Sequence, residues 1–391
     1  MKRSSASVFF VVCFGMFLLA VPILTLLLPK AESSYYENRT LAEVPQFSAE
    51  ALLSGDYFND WEEWFTDHVA FRSYLMKAQT FLQLKVLHQS VVNDVVTDSD
   101  VLLGHHGYGA WDTSYLASDA EEAAAALSNW AEVTKENGGQ FYYVGLPEQY
   151  AYYQDHYPDY LENRSWLYGP TEEAMETALS EVDIPFLSLY TRYQEAGFPR
   201  DYYFASDHHY TIEGALFACR EVLSAVNERQ GLSLYIPSEE DLTFTTLPNP
   251  FLGSRNRKLF ALDDKGDQLT VAEYREAIPF TRTDNGEQVE PSLLTLPAAD
   301  TETVTYTAFM GGDIAETVID TNREELPNVL VIGESFTNAM ETLLYASFNE
   351  TRSIDPRYYT GSIADYIAAY QPDVVLLVRD NTAYFTGVME G

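Results

Sequence analysis

Apolar runs of strand length alternate with helix-period segments along most of this chain. That alternation restricts it to a layered α/β fold with a largely parallel sheet. Residues 141–146 form an apolar strand closed by Pro147, residues 184–189 a second, 329–333 a third and 373–378 the last, with a shorter piece at 101–104. Between them, Ser118 and Glu121 have capping-box spacing ahead of a helix carrying Leu127, Trp130 and Val133, which Gly138 and Gly139 end. A helix fits 171–182. Thr211 can cap another that carries Leu216, Val222, Leu223 and Val226. The pattern breaks between about 237 and 325, where Thr, Pro and Asp are frequent and residues 303–309 alternate like a strand. This segment reads as a β-rich insertion within the α/β domain.

The first residues read differently. Lys2 and Arg3 precede an uncharged run over residues 7–28, close to the ~20 residues that cross a bilayer as a helix. The run exceeds an ordinary signal-peptide core, and Pro29-Lys30-Ala31 is a poor cleavage site, so an uncleaved anchor is expected. The positive flank places the N-terminus inside and the rest outside. Residues 29–50 read as a tether. Phe58, Trp61, Phe65, Phe71, Leu75 and Leu82 recur at helical spacing and are expected to pack as core. The expected organisation is a cytoplasmic stub and transmembrane anchor (1–28), a tether with juxtadomain helices (29–85), and one α/β domain (86–391).

Charge narrows the partners. There are 59 Asp and Glu against 23 Lys and Arg, a net −36, which repels nucleic acid and excludes it as a partner. Cys13 lies in the apolar run and Cys219 in a helix, so no disulfide framework is expected.

Two places carry chemistry. Residues 328–336 run from an apolar strand through Gly333-Glu334 into Ser335 at the start of a helix, the geometry that lifts a hydroxyl clear of the backbone. Such a serine needs a base, and the base an orienting group. None of the seven histidines lies beyond His209, so Ser206-Asp207-His208-His209-Tyr210-Thr211 is the place to find both. Asp207 and His209 are two apart, which in an extended segment turns both to one side. Other readings stay open: Ser335 as a plain helix cap, Asp207 as a turn residue, the histidines as surface groups. A zinc site could combine Asp207, His208 and His209 with His105 and His106, although no standard ligand spacing is present.

The same residues carry a family resemblance. Residues 206–211, followed by Gly214 and Ala215, resemble the DHHW motif of Gram-positive extracytoplasmic proteins. These are relatives of alginate O-acetyltransferases with SGNH-hydrolase-like domains. Further islands agree in order: Glu37-Asn38-Arg39-Thr40-Leu41 with Pro45, Leu103-Gly104 through Gly107-Tyr108, Phe251-Leu252-Gly253-Ser254, Gly333-Glu334-Ser335-Phe336-Thr337-Asn338, and Ile354-Asp355-Pro356-Arg357-Tyr358-Tyr359. The resemblance implies a three-layer SGNH-like domain in which Ser335 takes an acetyl group and Asp207 and His209 activate it. Arg357, Asn338, Tyr358, Tyr359 and His208 would lie near the site as substrate or oxyanion groups. It implies a cell-surface polysaccharide as substrate, a polytopic membrane acyltransferase as acetyl donor, and no metal or soluble cofactor. A catalytically silent polysaccharide-binding or envelope-assembly module is the alternative. Two positions depart from the family pattern: Tyr210 replaces its Trp, and Glu334 replaces the Asp before the serine.

Overall fold

The computed structural model describes residues 5–105 and 113–385. Lys2, Arg3, His106, Gly107 and Tyr108, singled out above, lie outside the described residues. Two compact units emerge: Met1–Asn93 with Arg257–Leu262, and Asp94–Asn256 with Asp263–Gly391.

The first unit opens with helix α1 (Ser5–Leu27), of which Val8–Leu27 is long and apolar enough to cross a membrane. Helices α2 (Asp56–His68) and α3 (Arg72–Phe81) follow. The Glu37-Asn38-Arg39 island ties the strand ahead of them to these helices. Arg39 Nη1 donates to Asp67 Oδ2 at 2.8 Å, the Ala42 amide donates to the same oxygen at 2.9 Å, and Arg72 Nη2 donates to Glu37 Oε1 at 2.9 Å. The aromatic stripe does not pack as expected. Trp64 is buried, but Phe58, Phe65, Phe71, Leu75 and Leu82 are all exposed. The protein around these helices covers only part of their apolar face.

The second unit is built on an eight-stranded sheet. Its strands are β1 (Gln140–Leu146), β2 (Phe186–Ser188), β5 (Thr281–Asp284), β6 (Glu287–Val289), β7 (Glu316–Asp320), β8 (Val329–Gly333), β9 (Glu350–Ile354) and β10 (Val374–Asp380). A separate hairpin pairs β3 (Leu242–Thr246) with β4 (Thr270–Tyr274). The sheet order is β6–β5–β7–β9–β8–β10–β1–β2. From β9 to β2 every pair is parallel; from β6 to β9 every pair is antiparallel. The central strands are apolar on both faces because helices cover both. Helices α4 (Leu116–Glu136), α5 (Tyr168–Glu181) and α8 (Ile363–Tyr370) cover one face, where Leu127, Trp130, Met175 and Ile367 pack on Phe141, Leu330, Ile332 and Leu377. Helices α6 (Ile212–Gln230) and α7 (Phe336–Leu344) pack together, with α7 against β8 and β10. This is the three-layer SGNH-type α/β arrangement.

Three local expectations change. Helix α4 starts at Leu116, so Ser118 lies inside its first turn and donates back to the Tyr115 carbonyl instead of capping. Within 237–325, strands β5, β6 and β7 extend the main sheet through antiparallel pairing, so this stretch completes the sheet as well as interrupting the pattern. Residues 303–309 form no strand: Tyr306–Ala308 is a 3-10 turn whose Tyr306 and neighbouring Phe309 are buried. The alternation there reflects burial of Val304, Tyr306 and Ala308 between less buried threonines, without a strand ladder.

Candidate active site

Sequence-distant segments meet at the end of β8. The apolar strand stops at Gly333, where an added Cβ would lie 2.5 Å from Thr337 Cγ2 and 3.0 Å from the Val378 carbonyl oxygen. Thr337 and the Val378 carbonyl leave no room for a side chain at this turn into α7. Ser335 stands at the helix start but its side chain makes no cap bond. Instead its Oγ lies 2.7 Å from His209 Nε2. Ser335 is half-buried, so its hydroxyl is not sealed in the core.

His209 is held on every side. Its Nδ1 lies 2.7 Å from Asp207 Oδ1, and its own backbone amide donates to that same oxygen at 3.0 Å. The spacing of two residues lets one carboxylate bind both the ring and the backbone of the histidine. Asp207 Oδ2 accepts from the Ser254 amide at 2.6 Å. Burial pushes the Asp207 carboxyl up, but the His209 and His208 imidazoles and the Ser254 amide outweigh this and hold it well below the usual carboxylate range. An ionised Asp207 only accepts, so the Nδ1 proton belongs to His209 and its Nε2 lone pair faces Ser335. That is the tautomer a base needs.

The supporting residues were mostly not legible in the sequence. The Phe251–Ser254 island is singled out there without a role. The structure shows why glycine stands at 253: a Cβ there would fall 2.3 Å from the Ser206 carbonyl oxygen. This contact lets the Ser254 amide reach Asp207. Asp267 accepts from the amide and hydroxyl of Ser206, each at 2.6 Å, fixing the other side of the segment. No sequence signal marks Tyr306, yet its ring lies parallel to the His209 imidazole, 3.8 Å between centroids and 4° between planes. A face-on ring favours the imidazolium that forms when the base takes a proton. Tyr306→Leu is expected to lower kcat about tenfold with KM little changed, while Tyr306→Phe retains most activity, since the ring and not the hydroxyl does the stacking. Equal losses in both variants would point to a structural role only.

The two departures from the family pattern are accommodated. Tyr210 is fully buried, and its hydroxyl donates to the Phe336 carbonyl, directly tying the histidine segment to the serine turn. Glu334 is drawn aside by Arg379, whose Nη1 donates to it at 2.8 Å, while Ser335 stays in reach of His209.

The other expected site residues lie as follows. Arg357 joins the network through Glu334 at 3.5 Å, and also meets Asp355 at 2.6 Å and Asp313 at 2.8 Å, so three carboxylates surround its guanidinium. Asn338 is buried and donates to Asp313 Oδ1 at 3.1 Å. Tyr358 is exposed, with the Arg357 guanidinium 5.4 Å from its ring. Tyr359 packs edge-on against Tyr366 of α8, on the core side. His208 Nδ1 bonds the Ser254 hydroxyl at 2.6 Å and its ring lies 3.7 Å from that of His209.

Metal binding was the other reading of these residues. Among the described residues, Asp207, His208 and His209 form a group whose donor atoms lie within 4.8 Å of one another. His105 is not part of that group. All three side chains are already engaged with one another, with Ser254 or with Ser335. A structural zinc site would need a fourth ligand, and a three-ligand one would need His209 to give up Asp207 or Ser335.

Buried carboxyls around this framework share one electrostatic property. Burial pushes Glu148 up to about 7 despite Arg255 at its side, and likewise raises Glu172, Asp267 and Glu341. Folded, these groups hold their protons to higher pH than in the unfolded chain, where the ordinary values are 4.5 for glutamate and 3.8 for aspartate. Their contribution is full below those values and is lost as pH rises through the folded value, about 7 for Glu148. Glu37, bonded to Arg72, and Asp67, bonded to Arg39, are held down to about 2 and act oppositely: their contribution is lost as pH falls toward 2. Thermal melting is therefore expected at a higher temperature near about pH 5.5 than near about pH 8. A midpoint that rises toward the alkaline side contradicts this.

A mixed, mostly parallel sheet with helices on both faces, a serine at the end of a central strand and an Asp-x-His ahead of it fit an SGNH hydrolase-like domain. Residues 110–305 match the SGNH hydrolase-like domain of the acetyltransferase AlgX, and the chain belongs to that family. The matched stretch contains Asp207 and His209 and ends before Ser335. Bacillus cereus PatB1, solved with a sulfonyl adduct, is similar in structure: TM-score 0.63, 21% identity, 76% of this chain and 97% of that one. A DHHW family protein from Eubacterium siraeum aligns with TM-score 0.55, 19% identity, 76% of this chain and 95% of that one. No curated protein matches the chain.

Proposed function

We propose that this protein is a membrane-anchored, outward-facing serine enzyme that transfers or removes acetyl groups on a cell-surface polysaccharide, in a Gram-positive type of bacterium. The observation that carries the reading is the continuous relay from Asp207 Oδ1 to His209 Nδ1 and from His209 Nε2 to Ser335 Oγ, each link 2.7 Å. Family membership points to acetyl chemistry. Helix α1, apolar over Val8–Leu27, fits a single anchor with its N-terminus inside.

In this mechanism His209 Nε2 takes the Ser335 proton as Oγ attacks the acetyl carbonyl. Amides at the start of α7 stabilise the oxyanion. The tetrahedral intermediate collapses, the donor oxygen leaves with the proton from His209, and Ser335 carries the acetyl group. A sugar hydroxyl then gives its proton to His209 and attacks the acetyl-enzyme; Ser335 leaves and recovers the proton. Water in place of the sugar makes the reaction an esterase reaction. An acetyl donor outside the cell must be delivered across the membrane, so a polytopic acyltransferase is the partner that fits.

PatB1 has been solved as a sulfonyl adduct, and the same chemistry tests this chain. An aryl sulfonyl fluoride is expected to label Ser335, and labelling should slow greatly in His209→Ala. Labelling confined to other residues would remove Ser335 from the mechanism.

A further inference from the structure

Helix α3 leaves an apolar face bare. Phe71, which precedes it, and Tyr74, Leu75, Ala78 and Leu82 fall on one helical stripe, and all are exposed. Tyr74 is 77% exposed and Leu75 61%. The opposite side of the helix is occupied: buried Thr80 accepts from the Asn93 side chain at 3.0 Å. An exposed apolar stripe of this size marks a surface that something else covers.

Charge identifies the cover. This chain has 59 acidic residues, yet none falls between Asp67 and Asp94. The same stretch carries exposed Lys77 and Lys85 beside the stripe. An apolar stripe flanked by lysines, on a helix with no carboxylate of its own and with neighbouring Glu37 and Asp67 paired to Arg72 and Arg39, suits the headgroup region of an anionic lipid surface. Position agrees. The Ala70 amide donates to Thr25 Oγ1 at 2.9 Å, and both residues are buried. Thr25 lies two residues before the end of α1. Lys30, just past that end, places its ammonium 5.4 Å from the Trp64 ring. The turn between α2 and α3 is thus pinned where the apolar helix ends, and the bare stripe begins at the next residue.

We propose that α3 lies along the outer surface of the membrane, with Phe71, Tyr74, Leu75, Ala78 and Leu82 in the boundary between headgroups and acyl chains and Lys77 and Lys85 on anionic headgroups. The stalk is then a second membrane contact besides the spanning helix. The inference rests on the reading of α1 as a membrane span, and it is independent of the acyl chemistry. The acidic positions of α2, Asp56, Asp60 and Glu63, fall on one helix face and stay in water.

The test uses the full-length chain in Cys13→Ala background, reconstituted into phosphatidylcholine and phosphatidylglycerol vesicles. Cys219 is fully buried and burial pushes its thiol up, so it does not compete for label. A polarity-sensitive fluorophore is attached at Leu75→Cys or at Glu63→Cys. The probe at 75 is expected to emit to the blue of that at 63, to lose most of its emission to brominated lipid, and to resist aqueous iodide. Alkaline extraction reports separately whether α1 anchors the chain. A probe at 75 that iodide quenches and brominated lipid does not, in chains that resist extraction, overturns the proposal. So does a water-exposed probe that is shielded only when another membrane protein is added.

Discussion

Ser335→Ala is expected to reduce hydrolysis of a chromogenic acetyl ester by roughly 10⁴-fold or more, with little change in thermal stability. The size follows from geometry. The serine oxygen is the atom that His209 faces at 2.7 Å, and alanine leaves the base with nothing to deprotonate. The substitution is otherwise mild, because the hydroxyl caps no helix and the residue is half-buried. A fold-wide effect is therefore not expected, and unchanged melting alongside lost activity separates chemistry from collapse. The alternative role, a silent polysaccharide-binding module, makes the opposite forecast: wild type and variant hydrolyse equally slowly, yet both retain glycan. Substantial hydrolysis that survives in the variant sinks the acetyl-serine mechanism.

Asp207→Asn is expected to lower kcat by about 10⁴-fold while the site keeps its shape. Asparagine fits the same space and can still accept from the Ser254 amide. Turned that way its amide group donates to His209 Nδ1, at the cost of the acceptor for the His209 backbone amide, which moves the ring proton to Nε2 and leaves no lone pair toward Ser335. The wild-type carboxylate sits well below its ordinary range. Its stabilising effect is thus present above the ordinary value of 3.8 and is lost only as pH falls through the lower folded one. Asp207 accordingly stays ionised well below neutral pH. Sulfonyl labelling of Ser335 gives a second readout, since it depends on the same lone pair. An Asp207→Asn variant with near-normal turnover and labelling would show that this carboxylate does not set the tautomer.

The candidate site was legible because its parts have strong local signatures. Asp-x-His is local: two residues of extended chain bring the carboxylate to the imidazole. The strand, Gly333 and Ser335 are local too, since an apolar run and a glycine turn are written in adjacent residues. Tyr306 and Asp267 were not legible. Each lies between the two site segments, Asp267 61 residues after Ser206, and reaches the site through a loop whose path depends on everything it packs against. The alternation at 303–309 even suggested a strand, because periodicity reports exposure and not partners. The stripe on α3 misled in a related way. Helical spacing shows that a face is apolar, and it says nothing about which medium, protein or lipid, meets that face.

By itself the sequence determined the α/β class, the apolar N-terminal helix, the turn that displays Ser335, and the pairing of Asp207 with His209. All are consequences of side-chain period and chain stiffness over a few residues. Tertiary structure alone decided that the two candidate site segments, 126 residues apart, meet through hydrogen bonds. It also decided that the 237–325 stretch completes the sheet and supplies the ring against His209. Those outcomes depend on close packing between distant surfaces, where a fit of a few ångströms is set by both partners at once and is encoded in neither segment alone.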